Sequence, residues 1–215
     1  MRRRASISCT GISMSDGIVK CVHQRDKSQL ESKVKEENRM MHGTTKLNTD
    51  RLLLRPHKPE DADTLYRDFG QDPAMYEYSG WNPYATRELA EETISRFIAG
   101  YQREKFYGWA ICWDDILIGT VGAYDYEPDT DSIELGVSIA RNCWGKGFGS
   151  EAVNAVITFL MEHEDISCVR AWCAADNAGS AKIMEKAGMK CVRVEEDALE
   201  IGEKLYDKHI YEKRK

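Results

Sequence analysis

The sequence predicts an α/β domain of the α+β type: a mixed sheet of about seven strands with helices between and behind them. Three observations carry that expectation. Apolar residues alternate along three consecutive runs between 107 and 139, with turn residues separating them, which marks antiparallel hairpins. Two later segments return to helical spacing between strand-like runs, which requires a crossover connection. The chain has 215 residues, 42% hydrophobic, with five Trp, ten Tyr and five Phe. At that size a core forms without metal or disulfide.

The first strand, 51–55, is short, apolar and closed by Pro56. Pro59, followed by Glu60 and Asp61, opens a helix, because proline suits the first helical position and acids suit the positive N-terminal end. Ala62, Leu65, Tyr66 and Phe69 then recur at i, i+3, i+4, i+7. A Gly/Pro/aromatic loop covers 70–84, and Thr86 caps a second helix with Leu89, Ala90, Ile94, Phe97 and Ile98 on one stripe, ending at Gly100. Strands follow at Tyr107–Trp113, 116–126 and Ser132–Ile139, turning at Asp114-Asp115 and at 128–131. The third helix buries Ala152, Val153, Val156, Ile157, Leu160 and Met161. A strand at Cys168–Ala174, a short helix at 178–187 capped by Gly188, and two strands near 189–195 and 205–212 complete the order β-α-α-β-β-β-α-β-α-β-β.

Residues 1–47 carry no sustained period and read as a flexible or artefactual leader ahead of a domain at 48–215. Within it, 29–39 has the composition of a polar helix with little face to dock, and Met40 and Met41 offer an alternative translation start. Arg2–Arg4 lack a following apolar region, so no signal peptide is read there. The longest mostly apolar stretch, 152–161, falls far short of the roughly 20 residues of a membrane span. Seven cysteines without a Cys-x-x-Cys pair point to reduced thiols and a cytoplasmic setting. Residues 1–50 hold ten Lys/Arg and six Asp/Glu, whereas 51–215 hold twenty and thirty. That acidic body argues against a nucleic-acid surface. The five His, at 23, 42, 57, 163 and 209, show no metal-ligand spacing, and no metal is expected.

The chemistry concentrates at 132–152, where a strand runs into Gly145, Lys146, Gly147, Phe148, Gly149 and Ser150, and an apolar helix starts at once. Such a turn exposes backbone N–H groups at a helix N-terminus, lets a bulky anion approach the main chain, and adds the Lys146 charge. It suits a pyrophosphate. The dinucleotide fingerprint would need Gly at 150, which is Ser, and the Walker pattern is missing.

Four pieces then resemble the GNAT superfamily of acyl-CoA-dependent N-acetyltransferases, in the branch similar to ribosomal-protein-alanine N-acetyltransferases. They are Asp50-Arg51-Leu52-Leu53-Leu54-Arg55-Pro56 with Pro59-Glu60-Asp61; Glu134-Leu135-Gly136-Val137; the run from Trp144 to Ala152; and Asn177 with Ser180, Lys186, Ala187 and Gly188. Trp144 departs from the Gln or Arg that usually begins the family's phosphate signature, while Gly147 and Gly149 match it. The resemblance implies acetyl-CoA as co-substrate, held at 144–150, and a sheet splayed between the fourth and fifth strands. It further implies pantetheine pairing with backbone near Val137 and Ile139, and the Val137 N–H directed at the thioester oxygen.

Amine acetylation needs a neutral amine, so a carboxylate must take a proton. Glu134 matches the family's glutamate; the bland alternative is that it faces solvent opposite Ile133, Leu135, Val137 and Ile139. Where many relatives carry a Tyr acid this chain has Met184, and Ser180 is the substitute candidate at the departing sulfur, unless it only packs the first turn of its helix. Asn177 is a pantetheine contact or a turn former. Cys143 adjoins the loop without a nearby His, which disfavours a nucleophile. Tyr76, Tyr78, Trp81 and Tyr84 either roof the acceptor site or belong to the core. The expected activity is acetyl transfer to a primary amine, on a protein N-terminus or a small molecule, by direct attack in a ternary complex. A non-catalytic acyl-CoA sensor is the rival. The resemblance is compatible with a homodimer and gives no membrane partner.

Overall fold

A computed structural model describes residues 43–79 and 82–215, so the readings at Arg2–Arg4, at 29–39, at Met40 and Met41 and at Trp81 lie outside the described residues. The described part is one eight-stranded mixed sheet in the spatial order β1-β2-β3-β4-β5-β6-β8-β7. The strands are β1 (Leu47–Asn48), β2 (Leu53–Pro56), β3 (Tyr107–Trp113), β4 (Ile116–Glu127), β5 (Ser132–Ile139), β6 (Cys168–Ala174), β7 (Lys190–Ile201) and β8 (Lys204–Arg214). The helices are α1 (Asp61–Leu65, running on as a π turn over Tyr66–Gly70), α2 (Arg87–Gly100), α3 (Phe148–Glu162) and α4 (Ala178–Lys186). The expected order is present, with the two-residue β1 added at the edge. Residues 43–47 also touch the sheet: Gly108 N donates to Thr44 Oγ1 at 3.1 Å and Trp109 Nε1 to Thr45 O at 2.6 Å.

Local chemistry explains most boundaries. Thr86 accepts from Leu89 N at 3.2 Å and starts α2 as expected. Asp114 and Asp115 both take positive φ, 46° and 63°, the conformation a tight two-residue hairpin requires. Gly188, at φ 78°, ends α4, with Met189 N closing on Met184 O. The first strand begins two residues later than expected and takes in Pro56, which pairs with Trp109, and two further boundaries differ more. Pro59 lies ahead of α1, whose cap is Glu60, because 58–62 first make a turn in which Ala62 N donates to the Pro59 carbonyl. The β7–β8 hairpin is several residues longer than its apolar pattern: a bulge between Glu195 and Leu199, with Asp197 at φ 51°, absorbs the polar stretch without ending the ladder.

Two apolar layers cover the sheet. One joins Trp109, Ile111, Val121, Ile133 and Leu135 to the α3 face of Val153, Val156, Ile157 and Leu160. The other sets α1 and α2, through Leu65, Phe69, Ala90 and Ile94, on Ala110 and Cys112. Each such fully buried large side chain contributes roughly 1.5–3 kcal/mol. Under α1, Asp61 takes a forked pair from Arg55 at 2.7 and 2.8 Å, a third bond from Lys58 N at 2.9 Å, and has His57 Nδ1 at 3.5 Å.

One feature of the sheet positions the candidate site. β5 and β6 run parallel and pair only at Ser132↔Cys168, Ile133↔Val169 and Glu134↔Arg170. β5 stays fully registered with β4 up to Gly119↔Ile139, and β6 with β8 up to Ala174↔Lys208. The sheet is therefore splayed from residue 135 onward, between the fourth and fifth strands of the expected order.

Candidate active site

On the α3 side of the gap lies the glycine loop. Gly145 and Gly147 take φ of 75° and 83°; a Cβ on Gly145 would meet nothing within 4 Å. Gly147 is the N-cap of α3, and no side chain caps that helix. The first-turn N–H groups, from Phe148 on, have no acceptor within the helix by geometry, so they are directed outward together. Positive dipole and open backbone together make a helix start that could hold a pyrophosphate. Gly149 does a different job. It is buried, and a Cβ there would lie 2.6 Å from Ile183 Cδ1, so this glycine allows α3 to pack against α4. Lys146 Nζ sits 5.4 Å over the Trp113 ring, Phe148 is buried, and Ser150 is half-buried.

Trp144 is half exposed, yet its Nε1–H donates to the Ile139 carbonyl at 2.5 Å. The indole thereby closes the end of β5 and engages one of the two backbone positions expected to face pantetheine. Val137, half-buried, stands in the splayed stretch with Val121 as its β4 partner and none on β6. At the start of α4, Asn177 Oδ1 accepts from Ser180 N at 3.0 Å, so the Asn177 carbonyl serves as the helix cap while its amide nitrogen is left over. Ser180 is half-buried, Met184 is buried, and Cys143 is buried in the core.

The opposite face carries Glu134. It is half-buried, and Trp172 Nε1 donates to its Oε1 at 2.9 Å. The pairing Tyr124↔Glu134↔Arg170 puts those three in one row, with Trp172 two residues along on the same face. Tyr124 leans over Gly136, where a Cβ would come within 2.7 Å of its hydroxyl oxygen. Burial, with the Glu134 and Asp125 charges adding to it, pushes the Tyr124 phenol up. Lys208 lies 4.9 Å over the Trp172 ring. Glu134 is thus neither plainly solvent-facing nor unpartnered: its Oε1 is engaged and its Oε2 is left for another donor.

The aromatic loop contributes one of its tyrosines to the core. Tyr84 is core, with its phenol pushed up to about 12 by burial despite a hydrogen bond with Thr120. Tyr78 is half-buried and meets Tyr206 of β8 edge-on at 6.0 Å. A cleft of about 390 Å³, lined by Ala175, Asp176 and 204–207, opens where β6 ends and β8 begins. Nothing in the sequence singles out Trp172 or Tyr124, and Arg51 and Glu151 stand in matched pieces without a role assigned to them. A period-2 reading of 168–174 already puts Trp172 opposite the buried Val169, Ala171 and Cys173; which strand it would neighbour is a matter of topology.

Among the described residues no helix is long and apolar enough to cross a membrane, and Cys112, Cys143, Cys168, Cys173 and Cys191 are free thiols.

Residues 51–190 match the family described as "Acetyltransferase (GNAT) domain". An uncharacterized N-acetyltransferase of Bacillus subtilis, YoaA, is 29% identical over 167 residues, covering 77% of this chain and 94% of that protein. The ribosomal L7/L12 alpha-N-protein acetyltransferase RimL, solved in complex with coenzyme A, superposes with a TM-score of 0.74 at 18% identity, over 79% of this chain and 98% of that one. The microcin C7 self-immunity acetyltransferase MccE, solved with acetyl-CoA and AMP, gives 0.71 at 21% identity, over 78% and 94%. A splayed parallel strand pair beside an uncapped glycine-rich helix start, within a family match spanning most of the sheet, makes this chain a member of the GNAT acetyltransferase family and an acyltransferase.

Proposed function

We propose that the protein transfers the acetyl group of acetyl-CoA to a primary amine, on a protein N-terminus or a small molecule, with both substrates held at once. The observation that carries this reading is the loss of β5–β6 pairing immediately after Glu134. It leaves backbone groups of 135–138 free for an amide-bearing chain, with an anion cradle on one side and a carboxylate on the other. The N–H groups of 145–150 and Lys146 would hold the diphosphate, and backbone near Val137 would take the pantetheine and steady the thioester oxygen as charge develops there.

Glu134 then has a defined task. An amine arrives mostly protonated; Glu134 accepts its proton, directly or through one water, and frees the lone pair for attack on the thioester carbon. Trp172 keeps one carboxylate oxygen engaged, so the other is presented in a fixed direction. The C–S bond breaks as the new amide forms, and the Ser180 hydroxyl is the hydrogen-bond donor offered to the departing sulfur. Holding both reactants makes the attack effectively intramolecular. The acidic body of the chain favours cationic acceptors at the encounter stage.

Two measurements test the reading together: calorimetric titration with CoA, and thiol release from acetyl-CoA across a panel of amines and N-terminal peptides. Binding heat and amine-dependent release are expected. No heat with CoA overturns the cradle. Binding without release for any amine overturns the transferase reading in favour of a sensor.

A further inference from the structure

Behind the glycine loop stands a side chain that the transfer reaction does not itself require. Arg51, from the segment between β1 and β2, reaches α3 across 100 residues of sequence. Its Nε donates to Glu151 Oε2 at 2.7 Å, its Nη2 lies 2.6 Å from the same oxygen, and its backbone N donates to Glu151 Oε1 at 3.0 Å. Thr49 Oγ1 donates to Oε1 at 2.6 Å. The remaining fork nitrogen, Nη1, donates to the Lys146 carbonyl at 3.0 Å, and the guanidinium carbon stacks 4.6 Å over the Phe148 ring.

Two consequences follow from elementary geometry and charge. In a trans peptide the carbonyl and the next N–H point in opposite directions. Holding the Lys146 carbonyl from behind therefore aims the Gly147 N–H toward the open side of the loop. Glu151, meanwhile, sits in the first turn of α3, where a carboxylate competes with any incoming anion for the same positive helix end. Burial raises the Glu151 carboxyl, but bonds from Thr49 and Arg51 outweigh it and hold the group below the usual carboxylate range, so it is charged whenever an anion would bind. Paired with Arg51, that charge is cancelled locally.

We infer that Arg51 is a positioning residue for the coenzyme site: it orients the 146–147 peptide and neutralises Glu151, so that the helix start accepts a diphosphate. This inference rests on the reading that the loop binds CoA, and its test separates the two. Arg51→Met should raise the Kd for CoA and the KM for acetyl-CoA by about tenfold while kcat stays within about twofold, the size expected when one charge near a helix end is left uncompensated. Adding Glu151→Gln to Arg51→Met should recover most of the lost affinity, because the uncancelled carboxylate is gone. Arg51→Lys, which keeps the charge and gives up the fork, should fall between parent and Arg51→Met, and it supplies the comparison should the Met variant fold poorly. A merely structural role would lower the active fraction, and with it kcat, at constant KM. Parent-like CoA binding by Arg51→Met, a loss confined to kcat, or no recovery in the double variant would each overturn the inference. Failure of the parent chain to bind CoA would overturn the preceding reading instead.

Discussion

The glycine loop and the face that carries Glu134 lie on the two sides of one gap, yet they are built by opposite means. The loop is contiguous in sequence, shaped by backbone conformation at Gly145 and Gly147 and by the start of α3. The Glu134 face draws Tyr124 from β4, Glu134 from β5 and Trp172 from β6, while α1 and α2 pack on Ala110 and Cys112 of the same sheet and are tied down through Asp61. The first depends on dihedral angles and a helix dipole. The second depends on strand register and buried charge pairs. Substitutions should therefore fail differently on the two sides: coenzyme affinity on one, turnover and the stability of the α1–α2 layer on the other.

The largest effect is expected at Glu134. Glu134→Gln keeps an acceptor for the Trp172 N–H but removes the proton acceptor, so kcat should fall by roughly 100–10,000-fold, the usual range for a general base. CoA titration should be nearly unchanged, since the cradle is on the other side. Turnover equal to the parent's would remove Glu134 from the mechanism.

Next comes Asp61→Asn, which leaves the half-buried Arg55 without its counter-charge. Breaking such a pair from one side costs about 3 kcal/mol, or roughly 6–12 °C in melting temperature for a domain of this size. Burial raises the Asp61 carboxyl, but the Arg55, His57 and Lys58 bonds outweigh it and hold the group far below the usual carboxylate range. The unfolded chain takes up a proton there below about pH 3.9 and the folded chain does not. The contribution is therefore complete above that pH and drains away as pH falls through the folded value. Melts of the parent from pH 7 to 3 should steepen below about pH 4, and Asp61→Asn should flatten that lower part. His57, lowered by burial although Asp61 lies 3.5 Å from its Nδ1, adds a shallower loss as pH drops below about 6.5. An unchanged melting temperature in Asp61→Asn would deny the pair its anchoring role.

Gly147→Ala probes the coenzyme side. There is room for the methyl, with Arg51 Nη2 3.5 Å away, so the left-handed φ decides the outcome. Forcing a non-glycine residue there costs about 1–2 kcal/mol, enough to raise the KM for acetyl-CoA by about tenfold if the loop relaxes to avoid the strain. Loss of turnover at constant KM would mean that the loop shape matters for something other than holding the coenzyme.

The same contrast governs what the sequence disclosed. Every strand and helix that owes its existence to a local period or a cap was legible, from the Thr86 cap to the periodic buried positions of α3 at 152, 153, 156, 157, 160 and 161. The glycine loop was legible because its determinants are consecutive, although the three glycines divide their labour in a way spacing does not reveal: Gly149 answers to Ile183, thirty-odd residues away. The splayed gap followed from the family resemblance, since alternation along Ser132–Ile139 says which face is buried and nothing about where a neighbour strand departs. Arg51–Glu151 and Glu134–Trp172 were illegible for the same reason. They span 100 and 38 residues, and only the folded register brings them together.

The smallest expected effect is the most informative about how the Glu134 face is tuned. Trp172→Phe keeps the aromatic wall and the Lys208 stacking partner but removes the N–H that holds Glu134 Oε1. One hydrogen bond to a carboxylate is worth about 1.5–3 kcal/mol at most, and only the part that survives in the transition state reaches the rate, so a loss of about three- to tenfold in kcat is expected. The KM for acetyl-CoA should not move. Because Trp172 acts through Glu134, adding Trp172→Phe to Glu134→Gln should cost little more, whereas two independent contributions would multiply. Multiplicative losses would mean that Trp172 touches the acceptor itself, and the two sides of the gap would then share less of their logic than the geometry of Glu134 implies.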